Sequence, residues 1–248
     1  MTTLLAMFAV LPWADWAALL WFFAAWVGYA RFARRRSLVQ PSVLAATNRI
    51  RRLWMLQTTR REVRVLDGVV VQSLSTSPSF FASTTILIIG GLLAMLSRSE
   101  QASDLVREIP FAVRTSLIVF DMKLVLLTGV FVYAFFRFTW SLRQYTFGAL
   151  LVAAAPDFKA WHSEAHRSAF ASRAGRVMGL AADTFNDGLR AYYMAFAAIA
   201  WFLSPWAFMA GTVTVIYILY RREFHSEVLA VLAEEPDAAE GAPRIAGG

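Results

Sequence analysis

Cysteine is absent from this chain of 248 residues, and charged residues are scarce, at 17% of the sequence. The lack of cysteine excludes a disulfide framework, a thiolate metal site and a cysteine nucleophile. Soluble domains carry a charged fraction of about a quarter, so the low value argues against an ordinary water-exposed surface. Hydrophobic residues make up 58% of the chain. The length allows one helical bundle with a modest soluble part, and it leaves no room for a separate catalytic domain.

Apolar stretches separated by arginine clusters are the dominant pattern of the sequence. They cover residues 12–30, 78–97, 116–136, 192–204 and 206–220. Pro12 and Pro78 open two of them, and proline suits the first turn of a helix. A helix of about 19 residues rises roughly 28 Å, which is close to the thickness of the hydrocarbon core. We therefore predict an all-α integral membrane protein, a helical bundle with about five membrane segments.

The last two stretches admit two interpretations. Ser204 and Pro205 break the apolar run, as the turn of a helical hairpin requires. A single kinked helix would instead place Arg221 and Arg222 on the opposite side of the membrane from the other arginines. We favour the hairpin because it keeps Arg221 and Arg222 on the same side of the membrane as the other arginines.

The charges of the loops predict the orientation of the chain. Between the first two stretches two acidic residues, Glu62 and Asp67, are accompanied by ten arginines: Arg31, Arg34, Arg35, Arg36, Arg49, Arg51, Arg52, Arg60, Arg61 and Arg64. The positive-inside rule places this loop in the cytoplasm, against anionic headgroups of the lipid bilayer, and the N-terminus outside. We expect a multi-pass protein of the cell inner membrane with a cytoplasmic C-terminus. Because the basic residues cluster at the ends of apolar stretches, the net charge of +7 does not indicate nucleic acid binding.

The remaining regions complete a single predicted domain, residues 1–232. Regions 42–66 and 157–189 carry apolar residues at helical spacing and are predicted to be cytoplasmic helices. The region 144–156 is too short to span a membrane, so we expect it to continue the third membrane helix or to lie at the interface. Residues 233–248 are predicted to be a disordered tail.

Hydroxyl side chains interrupt the second apolar stretch at Ser79, Ser83, Thr84 and Thr85. Such groups can line an ion path, because their oxygen atoms and O–H groups replace part of the hydration shell of an ion. The alternative is structural, with the hydroxyls bonded to their own helix and nearby glycines allowing close packing. Both interpretations stay open from the sequence.

Two further pairs of polar residues are candidate pore residues. Asp121 and Lys123 lie within the third apolar stretch, where ionisable groups are costly unless paired, hydrated or near an interface. They would act as a charge selector or proton relay, or else form an outer-interface or structural ion pair. Asn186 and Arg190 precede the fourth stretch, where Arg190 would either face a cytoplasmic pore mouth or simply anchor its helix.

His162 and His166 are four residues apart, a spacing that places two imidazoles on one helix face and is compatible with a metal. Glu164, Asp183 or His225 would have to supply a third ligand. No serine triad, glycine-rich phosphate loop or paired-carboxylate motif is present. We therefore expect no metal site, no cofactor and no enzymatic activity.

Four ordered motifs stand out along the chain. They occupy residues 79–85, residues 131–136 with 140–144, residues 185–186 with 188–193, and residues 220–224. In residue identity and spacing they resemble the domain of unknown function 599 family, and the resemblance extends over nearly all of residues 10–232. It implies a multi-spanning membrane protein of bacteria and plants, and it transfers no catalytic or ligand residue.

From these features together we predict a homo-oligomeric channel or channel-like transporter for small ions. Five short segments barely enclose a polar path, whereas a ring of subunits can. The path residues are predicted to be Ser79, Ser83, Thr84, Thr85, Asp121, Lys123, Asn186 and Arg190. The positive net charge favours anions weakly. The alternative is a membrane scaffold or signalling component without a path, and a metal-dependent membrane enzyme is the least favoured class.

Overall fold

The computed structural model describes residues 11–37, 39–107 and 116–233, and these ranges are helical apart from short connections. The helices are α1 (Trp13–Arg36), α2 (Val43–Thr58), α3 (Val65–Ser97), α4 (Ser99–Arg107), α5 (Leu117–Ala153), α6 (Glu164–Ile199), α7 (Pro205–Phe224) and α8 (Glu227–Ala233). A 3₁₀ turn, Ala200–Phe202, lies between α6 and α7. The predicted all-α fold is confirmed. Of the predicted tail, residues 234–248 lie outside the described residues.

Three helices, α1, α3 and α5, are long and apolar enough to cross a membrane. With 33 and 37 residues, α3 and α5 are about 50 and 56 Å long, well beyond a hydrocarbon core of about 30 Å. Both helices therefore extend past the span that the bilayer requires. The helices α6 and α7, which include residues 192–199 and 206–220, do not meet the same criterion, so the number of five membrane segments stays a prediction.

The expected helix start at Pro78 is wrong. The helix α3 begins at Val65 and carries Pro78 in its interior, where the side chain is buried. Proline removes one main-chain hydrogen bond, a loss that neighbouring helices compensate in membrane-type bundles. Hydropathy does not reveal the true start, because residues 65–77 mix polar side chains with apolar ones.

Two predicted regions turn out to be parts of longer helices. The helix α6 runs unbroken through most of region 157–189 and into the fourth apolar stretch, and Ser163 caps it by accepting a hydrogen bond from the His166 N–H at 3.1 Å. The helix α5 includes most of region 144–156, which is therefore a continuation of the third helix. Region 42–66 contains α2, capped in the same way by Ser42.

The chain reverses its direction between α6 and α7. Ser204 accepts a hydrogen bond from the Ala207 N–H at 3.0 Å, and Pro205 occupies the first turn, where its missing N–H has no cost. The helix α7 then runs back along α6, so that Arg222 donates a hydrogen bond to the Tyr193 hydroxyl. The structure therefore has a helical hairpin here rather than a single kinked helix.

Two hydrophobic clusters follow one another along the long helices. The larger joins α1, α3, α5, α6 and α7, with Phe22, Phe138, Trp201 and Phe208 among its fully buried side chains. The smaller lies where α2 packs against α6, and a Cβ at Gly175 would lie 2.9 Å from the Arg52 Cα, so the absence of a side chain allows this close approach. The long helices thus hold a second, smaller layer beyond the main bundle.

A methyl group at Gly188 is expected to disturb the packing of α6 on α5. An ideal Cβ there would lie 2.5 Å from Cε1 of Phe138, whose ring is fully buried. We expect Gly188→Ala to lower the free energy of unfolding by about 1–3 kcal/mol, the usual cost of overpacking. Thermal denaturation of the purified protein in detergent measures the loss. Gly28→Ala is the control, because a Cβ there meets no atom within 4 Å, and an equal loss in both variants would contradict the prediction.

Candidate functional site

The four hydroxyl residues of α3 that are predicted to line a path differ in their exposure. Ser79 and Ser83 are exposed, Thr84 is half-buried and Thr85 is fully buried. The hydroxyls of Thr85 and Tyr192 share a hydrogen bond of 2.7 Å, which joins α3 to α6. Only Thr85 points into the interior of the chain, and its hydroxyl is used in helix packing.

Aromatic rings fill the interior around Thr85. Neighbouring ring centroids lie 5.1–5.8 Å apart within the set Phe81, Phe131, Phe138, Phe185 and Tyr192. Edge-to-face and tilted contacts at this spacing are those of a packed aromatic cluster. In the ranges that the structure describes, side chains therefore close the centre of the bundle.

A buried polar group lies at the end of the bundle where α1 and α5 begin. Asp15 is 3% exposed and accepts a hydrogen bond from Trp201 Nε1 at 2.6 Å. Lys123 is 2% exposed, and its Nζ lies 5.5 Å from the centre of the Trp201 ring. A buried ammonium is stabilised by the face of an indole and by a nearby carboxylate. Lys123 therefore turns inward rather than reaching for the membrane surface.

Asp121 lies close to Lys123 in sequence but does not share its environment. No ion pair joins the two side chains, since Lys123 faces Trp201. The Oδ1 atom of Asp121 is buried and has no hydrogen-bond partner among the described residues. The structure thus separates the two ionisable residues of the third apolar stretch.

At the opposite end of the bundle three arginines from three helices surround one carboxylate. Asp187 of α6 accepts hydrogen bonds from Arg34 of α1 at 2.9 Å, from Arg137 of α5, and from Arg190 of α6 at 3.2 Å. The Asp187 side chain is 9% exposed, while that of Arg34 is 69% exposed. This arginine cluster, Arg34, Arg137 and Arg190 with Asp187, carries two positive charges in excess of its carboxylate.

Arg190 is consequently paired, and its guanidinium also lies 5.9 Å from the centre of the Tyr29 ring. Asn186 lies beside it and lines a small cavity together with Tyr29, Tyr193 and Arg222. At this cavity, the start of the apolar part of α6 packs against the C-terminal ends of α1 and α7. Asn186 and Arg190 are therefore neighbours in space, and the contact of α6 with the α3 hydroxyls is made by Tyr192 instead.

Asp187 is the residue that sequence reasoning missed. The one local signal is its spacing of three residues before Arg190, which places the two on one helix face. Arg34 and Arg137 are recognisable in the sequence only as arginines near the ends of apolar stretches. Their convergence on Asp187 depends on how α1 and α5 pack against α6, and no local pattern encodes that packing.

Buried polar contacts fix α2 to its neighbours. Asp67 of α3 is fully buried and accepts hydrogen bonds from Trp54 Nε1 at 2.7 Å and from Arg61 Nη1 at 2.6 Å. Asp183 of α6 accepts a hydrogen bond from Asn48 Nδ2 at 3.3 Å. Burial raises the pKa of the Asp183 carboxyl above its ordinary value, and the Asn48 hydrogen bond opposes that rise. These contacts explain why α2 keeps its place beside α3 and α6.

His162 and His166 are exposed, and their rings stack with centroids 5.7 Å apart. Glu164 pairs with Arg60 at 2.7 Å, and this hydrogen bond lowers the pKa of the Glu164 carboxyl. Within the described ranges, no group of three His, Cys, Asp or Glu side chains is placed to hold a metal ion.

The helices and their polar groups define the class: an all-helical protein in which the longest apolar helices are able to cross a membrane. The chain belongs to the family described as "Protein of unknown function, DUF599", which matches residues 17–228. The match confirms the resemblance that the four motifs indicate, and it includes the α3 hydroxyls and the arginine cluster. No curated protein and no solved structure matches the chain.

Neutralising Asp187 is expected to destabilise the bundle. In Asp187→Asn three guanidinium groups stay at contact distance without a counter-charge, and breaking a largely buried ion pair costs roughly 3 kcal/mol. Because salt screens the repulsion between the arginines, the loss of thermal stability should be smaller at high ionic strength. Denaturation in detergent at low and high salt measures both effects. Asp157→Asn, at an exposed position, is the control, and equal melting temperatures for the two variants would refute this account of the cluster.

Proposed function

We propose that the protein forms an oligomeric channel for small ions in which α3 of each copy lines the path. The observation that carries the proposal is a row of polar and small side chains on the outward face of α3. The row, termed the α3 stripe, consists of Gln72, Thr76, Ser79, Ser83, Gly90, Ala94 and Ser97, all of them exposed. Most of these positions recur every three or four residues, so the set shares one face of the helix.

The α3 stripe lies on the least covered of the candidate membrane helices. Only 17% of the most apolar window of α3 is buried within the chain, against 22% for α1 and 44% for α5. Hydrocarbon is a poor environment for hydroxyl groups, and small residues leave room for a second helix to approach closely. The hydroxyls of Ser79 and Ser83 make no hydrogen bond to other residues in the described ranges. Contact with another copy, and with water between copies, supplies what these groups lack.

A path between copies suits the packing better than a path through one copy. The aromatic cluster around Thr85 leaves no opening at the centre of the bundle in the described part of the chain. Ser79 and Ser83, by contrast, are exposed without any rearrangement of the fold. The hydroxyls of several copies would then replace part of the hydration shell of a passing ion.

The remaining predicted path residues take different parts in this proposal. Asp121 has a free buried oxygen at one end of the bundle and acts at the outer mouth. Lys123 and Arg190 are already held by Trp201 and Asp187, so they contribute a positive field rather than a contact with the ion. The excess positive charge of the arginine cluster favours anions.

We also propose that the protein lies in the cell inner membrane with its arginine cluster on the cytoplasmic side. Arg34, Arg137 and Arg190 meet at one end of the bundle, and Arg222 lies near them. The positive-inside rule favours the cytoplasm for such an end. The N-terminus would then be outside, because α1 begins at the opposite end.

The first test is ion flux through purified protein in liposomes under chloride and potassium gradients. We expect chloride flux in the native chain and a reduction of about tenfold or more in Ser83→Leu, since a branched apolar side chain removes a hydroxyl from the path. The matched control is Thr214→Leu, which removes an exposed hydroxyl of α7 that only bonds back to its own helix. Asp121→Asn should alter the selectivity between chloride and potassium.

The absence of cysteine allows a second, independent test. Ser83→Cys introduces a single thiol, and oxidation in membranes should produce disulfide-linked dimers if α3 faces α3 of another copy. Thr214→Cys should produce none. No flux under either gradient, together with no cross-link at residue 83, would overturn the proposal. The competing scaffold function, which the closed aromatic centre favours, would then stand in its place.

A further inference from the structure

A groove open to the surroundings runs between α1 and α5. Its walls are apolar and are formed by Phe23, Trp26 and Val27 of α1 and by Leu126, Gly129 and Tyr133 of α5. Its volume is about 610 Å³, which lies within the range of pockets that hold small ligands, roughly 300–1,000 Å³. The groove lies between two helices that are apolar enough to span a membrane, so in a bilayer it would face lipid rather than water.

One end of this groove is positively charged. Arg31 and Arg34 line it one and two turns below Val27, and both side chains are exposed. Arg31 forms no ion pair with any residue of the described ranges. Arg34 uses one nitrogen on Asp187 and keeps its other N–H groups free for a second acceptor. An anion that enters this end meets two guanidinium groups with unused donors.

The arginine cluster strengthens the positive end of the groove. In the described ranges, Asp187 is the one carboxylate that pairs with Arg34, and three arginines share it. The Nε atom of Arg137 is buried and has no hydrogen-bond partner within the described part of the chain. Two further acidic side chains of the region have other partners, since Glu223 accepts a hydrogen bond from the Leu44 N–H and Asp183 accepts one from Asn48 Nδ2. Neither forms an ion pair with Arg31 or Arg34 in the described ranges, so this end keeps an excess of positive charge.

The length of the groove matches one leaflet of a bilayer. From Phe23 to Arg34 the helix α1 rises about 16 Å, close to half of a hydrocarbon core of about 30 Å. The apolar walls thus lie at the depth of acyl chains when Arg31 and Arg34 lie at the depth of the headgroups. A ligand with an apolar tail and an anionic head satisfies both parts.

A second groove, between α1 and α7, provides a contrast within the same molecule. It has a volume of about 650 Å³ and is equally apolar, and Arg36 is its charged residue. The guanidinium of Arg36 donates one hydrogen bond to Gln40 and lies over the Phe32 and Tyr220 rings. The α1–α7 groove thus has one guanidinium, held against two aromatic rings, whereas the α1–α5 groove has two, those of Arg31 and Arg34. The greater positive charge of its lining distinguishes the α1–α5 groove.

We propose that the α1–α5 groove binds one acyl chain of an anionic glycerophospholipid whose phosphate contacts Arg31 and Arg34. Guanidinium groups bind phosphate through paired N–H donors, which gives this headgroup an advantage over a zwitterionic one that carries its own positive charge. The site does not depend on ion conduction, since its residues lie on α1 and α5 and not on the α3 stripe.

The test measures lipid retention by the full-length chain. Purified protein is delipidated in detergent, titrated with phosphatidylglycerol or phosphatidylcholine, and examined by native mass spectrometry and by thermal denaturation. We expect one tightly bound phosphatidylglycerol per chain and markedly weaker binding of phosphatidylcholine. Arg31→Gln should weaken phosphatidylglycerol binding about fivefold, the effect of one basic residue near an anionic headgroup. Because Arg31 has no ion pair to lose, the variant should fold as the native chain does.

Two further variants separate the site from general electrostatic attraction. Arg35→Gln removes the same charge from an exposed position of α1 that does not line the groove, so it should leave the affinity unchanged. Gly129→Leu fills the groove, where a Cβ meets no atom within 4 Å, and should abolish retention of both lipids. Equal losses in Arg31→Gln and Arg35→Gln, or normal retention in Gly129→Leu, would overturn the proposal. Stabilisation by soluble glycerol phosphate equal to that by the lipid would also overturn it, because no acyl chain would then be needed.

Discussion

The ion pairs of the Asp187 carboxylate are the interaction on which the arrangement of the helices most depends. This carboxylate accepts hydrogen bonds from α1, α5 and its own helix α6, so one side chain fixes the relative positions of three helices. Its low exposure makes these charge-assisted bonds stronger than surface ion pairs. The carboxylate also stabilises the arginines, because three guanidinium groups without it would repel one another.

The opposite end of the bundle is fastened by different chemistry. Asp15 binds the indole N–H of Trp201, and the ring of Trp201 faces the ammonium of Lys123. The residues come from α1, α5 and the turn between α6 and α7, so this group also joins three parts of the chain. Polar contacts thus join the helices at both ends of the bundle, and the aromatic cluster packs between them. Helix positions are thus set by directional bonds at the ends, and the rings pack within that frame.

The sequence predicts the class of the fold and much of its course along the chain. The all-α fold, the reversal at Ser204 and Pro205 and the continuation of the third helix through region 144–156 follow from hydropathy and turn residues. The start of α3 at Val65 does not, because hydropathy registers where a helix is apolar and not where it begins. Hydropathy also does not predict that α6 is one continuous helix, because its polar first half and its apolar second half look like separate segments.

The candidate site is less predictable because its residues are defined by packing. Thr85 and Ser83 are two residues apart and equally suggestive in sequence, yet one is bonded to Tyr192 inside the bundle and the other is exposed. Lys123 is typical of an interfacial lysine, but Trp201 lies near it only after the chain reverses between α6 and α7. The role of Asp187 cannot be predicted from its sequence neighbours, because its partners Arg34 and Arg137 are distant along the chain.

Apart from the buried Oδ1 atom of Asp121, the distribution of occupied and free polar groups favours binding at the outer faces of this protein over binding at its centre. Inside, the hydroxyl of Thr85, the carboxylates of Asp15 and Asp187, and the ammonium of Lys123 all have partners within the chain. Any ligand that used them would first have to break a bond that holds two helices together. Outside, the α3 stripe and the guanidinium of Arg31 have no such commitment among the described residues. A ligand or a second copy that binds there gains its contacts without a loss of helix packing, which is the condition for tight association with an already stable bundle.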